Sequence, residues 1–470
     1  MTRFLHVLAT TCALGVLLGA LPTAPASAQP VASQLDALVT AAFVPDQPGG
    51  AVLVVKDGQV LYRKAIGMAS MELGVPLQPD SVFRIGSLTK QFTAAAVMLL
   101  VEDGKIALTD PIEKYLPGYP TQGHVITIEH LLTHTSGIQS YTSIPGWFPN
   151  RIRTDMSVTE LIDGFKKEPM LFAPGTRYSY NNSAYVLLGA IVENASGSTY
   201  EQFLTTRIFT PLGMTRTFYG SNEPIIRGRA QGYALDGDVV KNSQFLSMTQ
   251  PYAAGSLLST IDDLAKWDAA LAAGKVLRLE TLQKMATPYT LKDGTSTGYG
   301  YGLQVSTLRG RQAVEHGGGI NGFSTYGLSL PAERVYVAVL CNTESPKLPP
   351  VYLARRLAAI AIGNPFPERT AITVEPSVLA RYAGTYNTEA RDVRRTVTVE
   401  GSKMYLQREG RPKAEVKATS ETEFFLENSL SFLRFEMAAD GKEPILLYYA
   451  DGSDIPVRSR RVADQVPTKP

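Results

Sequence analysis

The sequence predicts an α+β fold in two parts: an antiparallel sheet flanked by helices, with a helical region alongside, followed by a small all-β barrel. Three observations predict it. Apolar, strand-like segments form one hairpin near the start of the first part and another near its end; the chain between them reads as helices; and beyond residue 365 the texture changes to short alternating strands.

In chain order, the first element is a leader. Arg3 is followed by a mostly apolar stretch over residues 4–21 and then by Ala26, Ser27 and Ala28 before Gln29, the three regions of a secretory signal peptide. Residues 1–28 are therefore expected to be removed and the protein exported, to a periplasm or beyond. No later segment is apolar enough over enough length to span a bilayer. Export removes Cys12 and leaves Cys341, so no intramolecular disulfide is expected. Cys341 ends the apolar run 335–340 and reads as a buried strand-end residue rather than a nucleophile. Without Arg3, 44 basic residues face 43 acidic ones, a balance that argues against nucleic acid or an anionic membrane as partner. With 44% hydrophobic and 19% charged residues, the chain of 470 can bury a sizeable core.

The run AVLVV at 51–55, a turn at Lys56, Asp57 and Gly58, and QVLYR at 59–63 predict the first hairpin. The second is predicted from residues 323–330 and 334–340 around Pro331, Ala332 and Glu333. Between them, residues 88–102 are almost wholly apolar or alanine and stop at Gly104, which fits a buried central helix. Further helices are expected over 128–134, 158–165, 184–195, 200–208 and 261–273. A helix over 351–362 closes this part, because Gly363, Asn364 and Pro365 cannot continue it. The domain so bounded is 29–365, a linker follows over 366–375, and 376–470 is the barrel. Its strands are read at 395–400, 403–407, 423–427, 432–436 and 444–449.

Three segments carry chemistry. Ser87 and Lys90 form the sequence S-x-x-K, which at the start of a helix puts an amine one turn from a hydroxyl on the same face. Alone, that pattern is as well explained by a capping serine and a solvated lysine; the helix that follows is too apolar to lie on the surface, which favours the catalytic pair. Tyr180 can serve as a base only if nearby cations, Lys90 and His316, hold its phenol down from its usual value near 10. Asn182 offers an amide to a substrate. His316 precedes Gly317, Gly318 and Gly319, whose missing side chains would let a substrate lie along the backbone. The N–H groups of Ser87 and Gly319 are the expected oxyanion donors, each typically worth roughly 3 kcal/mol in a transition state.

Two features carry less. His130 and His134 have a metal-like i, i+4 spacing, but Glu129 precedes the first histidine and no third ligand is evident, so no metal or cofactor is expected. Residues 139–156, with Tyr141, Trp147 and Phe148, read equally as a lid, a substrate wall or a loop pinned by its aromatics.

Together, SLTK at 87–90, IEHLLTHTSG at 128–137, YSYNN at 178–182, AGSLLST at 254–260 and HGGG at 316–319 resemble the serine β-lactamase and penicillin-binding protein superfamily, nearest its class C branch, over residues 35–362. The resemblance implies a β-lactamase/transpeptidase-like fold and a serine hydrolase. In it Ser87 is acylated, Lys90 and Tyr180 share acid and base work, and Asn182, His316, Gly318 and Gly319 meet the substrate. Members of that family usually carry lysine where this chain has His316, which weakens the case for a substrate carboxylate and implies an ester, a small amide or a D-amino-acid peptide. A β-lactamase or D,D-carboxypeptidase is the second reading, and a non-catalytic scaffold on the same fold the third. LARYAGTY at 379–386 resembles the front of a lipocalin-like barrel appended to such hydrolases. A small-molecule or peptide substrate is the only partner read from the sequence.

Overall fold

The computed structural model describes residues 30–462, apart from 238, 389–392, 439–440 and 442. The expected leader lies outside the described residues. The main sheet has six antiparallel strands: β1 (Gly50–Lys56), β2 (Gln59–Ile66), β3 (Gln304–Leu308), β4 (Arg311–Ile320), β5 (Phe323–Leu330) and β6 (Val335–Cys341). Their order is β3-β4-β5-β6-β1-β2. The helices that frame the site are α1 (Val31–Ala42), α2 (Thr89–Glu102), α3 (Ile128–Leu132), α4 (Trp147–Arg151), α5 (Asn182–Ser196), α6 (Ile261–Ala272) and α7 (Pro350–Ala361).

The two predicted hairpins pair with each other, with Ala51 opposite Leu340 and Val54 opposite Val337. Both faces of these central strands are covered, so β1 and β6 read as continuous apolar runs rather than alternating ones. Val52, Val54, Val337 and Val339 pack with α1 and α7, whereas Ala51, Leu53, Ala338 and Leu340 pack with the helical region. Cys341 is fully buried at the end of β6, and burial pushes its thiol up, away from nucleophilic character.

The predicted central helix is α2, buried on every side from Thr89 to Leu100 except at Gln91. Among the elements not predicted are α1, α4, strand β4 and the edge strand β3, whose polar residues Gln304, Ser306 and Thr307 hide its period. The glycine run lies inside β4 rather than in a loop before it.

The second part is a closed eight-stranded barrel: β7 (Gly384–Thr388), β8 (Arg394–Glu400), β9 (Lys403–Arg408), β10 (Ala414–Ala418), β11 (Glu423–Leu426), β12 (Phe432–Met437), β13 (Pro444–Tyr449) and β14 (Val457–Val462). β7 and β14 close it, with Thr385 opposite Val462. Side chains fill the interior, where Tyr382 stacks on Phe435 at 4.1 Å between ring centroids and Tyr386, Phe424 and Leu433 pack around them. The barrel is seated on the β3–β4 turn: the Asp454 carboxylate accepts from the Gly310 N–H at 2.6 Å, and the Asp454 N–H donates to Thr307 Oγ1 at 3.2 Å.

Candidate active site

Ser87 occupies a 3-10 turn, Gly86–Leu88, that leads into α2. It precedes the helix rather than capping it, since Leu88 is the cap residue and α2 begins at Thr89. Gly86 has φ +53, a left-handed value that suits glycine, and a Cβ there would meet the Gly319 nitrogen at 3.1 Å. A Cβ on Gly318 would come within 2.0 Å of the Ile85 carbonyl oxygen, whereas one on Gly319 would meet nothing within 4 Å. The glycines thus serve two purposes. Gly318 lets β4 press against the serine turn, and Gly319 leaves the cleft beside Ser87 open.

Lys90 is fully buried. Its Nζ lies 2.8 Å from Asn182 Oδ1, 2.8 Å from the Ala254 carbonyl oxygen and 3.1 Å from Ser87 Oγ. No carboxylate is among these partners, and burial pushes its pKa well below that of an ordinary lysine. The 3-10 turn supplies Ser87 and the first turn of α2 supplies Lys90; α5 supplies Asn182 from its first turn, where the Asn181 side chain caps the helix by accepting from the Ala184 N–H at 3.0 Å.

Tyr180 stands just before α5 with its ring centroid 4.8 Å from Lys90 Nζ. Burial pushes its phenol up, and its interaction with the Ser87 hydroxyl pulls it part of the way back. The residue as a whole keeps 38% of its surface exposed.

His316 is placed differently from expectation. Its Nδ1 lies 2.6 Å from the Gly317 carbonyl oxygen, which can only accept, so Nδ1 carries the proton and Nε2 accepts from the Tyr299 hydroxyl at 2.9 Å. Both nitrogens are engaged within the protein. Burial, aided by Lys90, holds the imidazole down at about 3, so it is neutral. Tyr180 could serve as a base only with cations beside it, whereas burial holds both Lys90 and His316 down and pushes the phenol up, toward its protonated form.

Sequence reasoning missed two contributors. Tyr299, the partner of His316, belongs to the pattern YGYG at 299–302, whose only signal is a pair of aromatics set between glycines. His134, discounted as a metal ligand, is a buried buttress: its Nδ1 accepts from the Asn181 N–H at 3.1 Å, and its ring lies 4.4 Å from Tyr180, 4.7 Å from Tyr299 and 5.0 Å from Tyr185. Burial holds His134 well below its ordinary value. His130 has a separate task, since its Nδ1 accepts from the Thr127 N–H at 3.2 Å and completes the cap of α3.

The cleft beside Ser87 has a volume of about 190 Å³, and every residue lining it lies between Gly86 and Asn321. Asn182 and Gly319 line it; His316 and Gly318 are not among its lining residues. No described residue of the barrel lines it. The aromatic loop forms a fixed wall. The Tyr141 hydroxyl donates to the Gln250 carbonyl oxygen at 2.9 Å and Trp147 Nε1 donates to Gln250 Oε1 at 3.1 Å, while Phe148 remains partly exposed.

This fold and this constellation define a serine hydrolase of the β-lactamase and penicillin-binding protein superfamily. Residues 35–362 match the family described as Beta-lactamase, and the chain belongs to it. It is 31% identical over 438 residues to a penicillin-binding protein of Bacillus subtilis (strain 168), covering 87% of this chain and 94% of that protein. It is 32% identical over 350 residues to a D-aminopeptidase of Gluconobacter oxydans (strain 621H), covering 72% of this chain and 63% of that one. Among solved structures, the octameric penicillin-binding protein homologue from Pyrococcus abyssi superposes with a TM-score of 0.65 at 29% identity, covering 91% of this chain and 99% of that one.

Proposed function

We propose that the protein hydrolyses an ester or small amide through an acyl-enzyme on Ser87, with Lys90 as the base. The observation that carries this is the environment of Lys90 Nζ. Asn182 Oδ1 and the Ala254 carbonyl can only accept, so they take both hydrogens of a neutral amine, and its lone pair is left for the Ser87 hydroxyl. Ser87 Oγ gives its proton to Lys90 as it bonds to the substrate carbonyl carbon. The oxyanion that forms is held by the Ser87 and Gly319 N–H groups. The proton passes by way of the protonated Tyr180 to the leaving oxygen or nitrogen, whose bond to carbon breaks. Water then repeats the sequence against the acyl-enzyme and frees Ser87.

The ordered motif set supports the class C branch of the superfamily, and the leader composition supports export. We assign residues 29–365 to the hydrolase, 366–375 to a linker and 376–470 to the barrel domain. His316 and Gly318 act from outside the cleft lining in this reading, while Asn182 and Gly319 face substrate.

The test is intact-mass spectrometry of purified protein mixed with a p-nitrophenyl ester, a penicillin and a D-alanyl amide, alongside turnover of each. Rapid ester turnover that Ser87→Ala abolishes, with no lasting penicillin adduct, is the expected result. A stable adduct formed on Ser87 by penicillin alone would instead indicate a penicillin-binding peptidase, the reading favoured by the long match to the Bacillus protein. Full activity in Ser87→Ala would end the assignment.

A further inference from the structure

Among the described residues, the lining of the cleft beside Ser87 has no carboxylate, amine, guanidinium or imidazole side chain. Trp147, Phe148, Ile152, Leu246, Pro251 and Ile320 form its apolar surface, and Asp, Glu, Lys, Arg and His are absent from its lining. Several of the polar side chains that reach it already have partners within the protein. Gln250 Nε2 donates to the Arg151 and Thr154 carbonyls at 2.7 Å each, and its Oε1 accepts from Trp147. Asn321 Nδ2 donates to the Gln244 carbonyl at 3.1 Å, and Asn182 is held between Lys90 and Thr142. A charged substrate group placed here loses its water and finds no counter-charge.

Position and size narrow the occupant. Tyr180, which protonates the leaving group in the reading above, does not line the cleft, and neither does His316. The acyl portion of the substrate therefore occupies it. At about 190 Å³ it is somewhat larger than the roughly 150 Å³ cavity that holds a benzene ring.

Resting on the acyl-enzyme reading above, we propose that the enzyme selects an uncharged acyl group of about one ring in size, such as an arylacetyl or N-acylated aromatic residue. It discriminates against acyl groups that carry a free ammonium or a free carboxylate. This separates it from an aminopeptidase, which must accept an ammonium beside the scissile carbonyl, and from a peptidase that anchors a carboxylate.

The experiment compares kcat/KM on four p-nitrophenyl esters: phenylacetate, N-acetyl-D-phenylalanine, D-phenylalanine with its amine free, and hydrogen succinate. The two neutral aromatic esters are expected to exceed the two charged ones by about 100-fold or more. Equal or faster turnover of the free-amine or succinate ester would overturn the inference. Acylation of Ser87, read by intact mass on each ester, keeps the two ideas apart: acylation without the ranking sinks only this inference, and no acylation by any ester sinks the reading beneath it. Phe148→Glu places an anion on a partly exposed wall position and is expected to raise the free-amine ester relative to phenylacetate by about tenfold. An unchanged ratio in that variant, with its fold intact by circular dichroism, would show that the acyl group lies elsewhere.

Discussion

Lys90 Nζ and Asn182 Oδ1 are hydrogen-bonded at 2.8 Å, a link between the first turn of α2 and the first turn of α5. It fixes the amine beside Ser87 with an acceptor that carries no charge. Asn182→Asp puts a carboxylate in the same place and favours the ammonium over the amine. Because the base works only when deprotonated, the rising limb of kcat/KM against pH should move to higher pH in the variant, with the rate at pH 7 reduced. Profiles from pH 5 to 10 decide it. An unshifted limb would show that the titration of Lys90 does not control the reaction.

Tyr180→Phe separates proton transfer from packing. The substituted ring can keep its contacts with His134 and Lys90 while the hydroxyl is lost. We expect kcat to fall by on the order of 10² to 10⁴, with the thermal midpoint nearly unchanged. A variant that changes only KM would make Tyr180 a substrate wall and nothing more.

The residues that meet in this site were legible because their spacing reports chemistry directly: a lysine three residues after a serine can reach its hydroxyl, and Tyr180 and Asn182 lie close together between a Pro-Gly pair and a helix. The framework was legible where both faces of a strand are buried, as in β1 and β6. Edge strand β3 was hidden because polar residues interrupt its period. What one sequence hides is the state of each group. That Lys90 and His316 are held toward neutrality follows from burial by α2, α5 and Tyr299, contacts spread over more than 200 residues of chain. The split between Gly318, pressed on Ile85, and Gly319, open to the cleft, depends on how β4 meets the serine turn.

That split is directly testable. Gly318→Ala drives a methyl toward the Ile85 carbonyl oxygen and must shift either β4 or the turn holding Ser87. We expect a loss of about 1–3 kcal/mol in urea unfolding and a fall in kcat of more than tenfold. Gly319→Ala, with open space around its Cβ, should unfold like the parent and show its effect mainly in KM for the bulkier esters. The same destabilisation in both variants would mean that the glycines serve only to form the strand.

The junction with the barrel contains a buried ion pair directly behind the site. Arg355 of α7 binds Glu315, the residue before His316, and its guanidinium also reaches the Thr307 carbonyl. Asp451 of the barrel titrates within their field, its carboxyl pushed up by burial and pulled down by Arg355. Arg355→Met leaves two carboxylates without their cation and is expected to cost about 3–5 kcal/mol. Adding Glu315→Gln should recover part of that loss. No recovery in the double variant would mean that Arg355 acts through packing rather than charge.

His316 and His134 give the fold an acid sensitivity of calculable sign. Both imidazoles are held below the 6.5 of an ordinary histidine, His316 to about 3 and His134 by the same cause, burial. Between pH 6.5 and those lower values the unfolded chain binds a proton that the folded chain refuses. Stability therefore rises with pH across the window and falls as acid is added, by up to about 1.4 kcal/mol per pH unit for each histidine. Carboxylates also contribute to acid unfolding, so the parent alone does not isolate the effect. His316→Gln removes one of the two groups and leaves the carboxylates in place. The difference between parent and variant in urea unfolding free energy, measured at pH 7, 6, 5 and 4, should slope by close to one proton over the lower part of the range. A difference that stays flat with pH would mean that His316 is protonated in the folded protein, and the hydrogen-bond roles assigned here to Tyr299 and Gly317 would have to be exchanged for ones that suit an imidazolium.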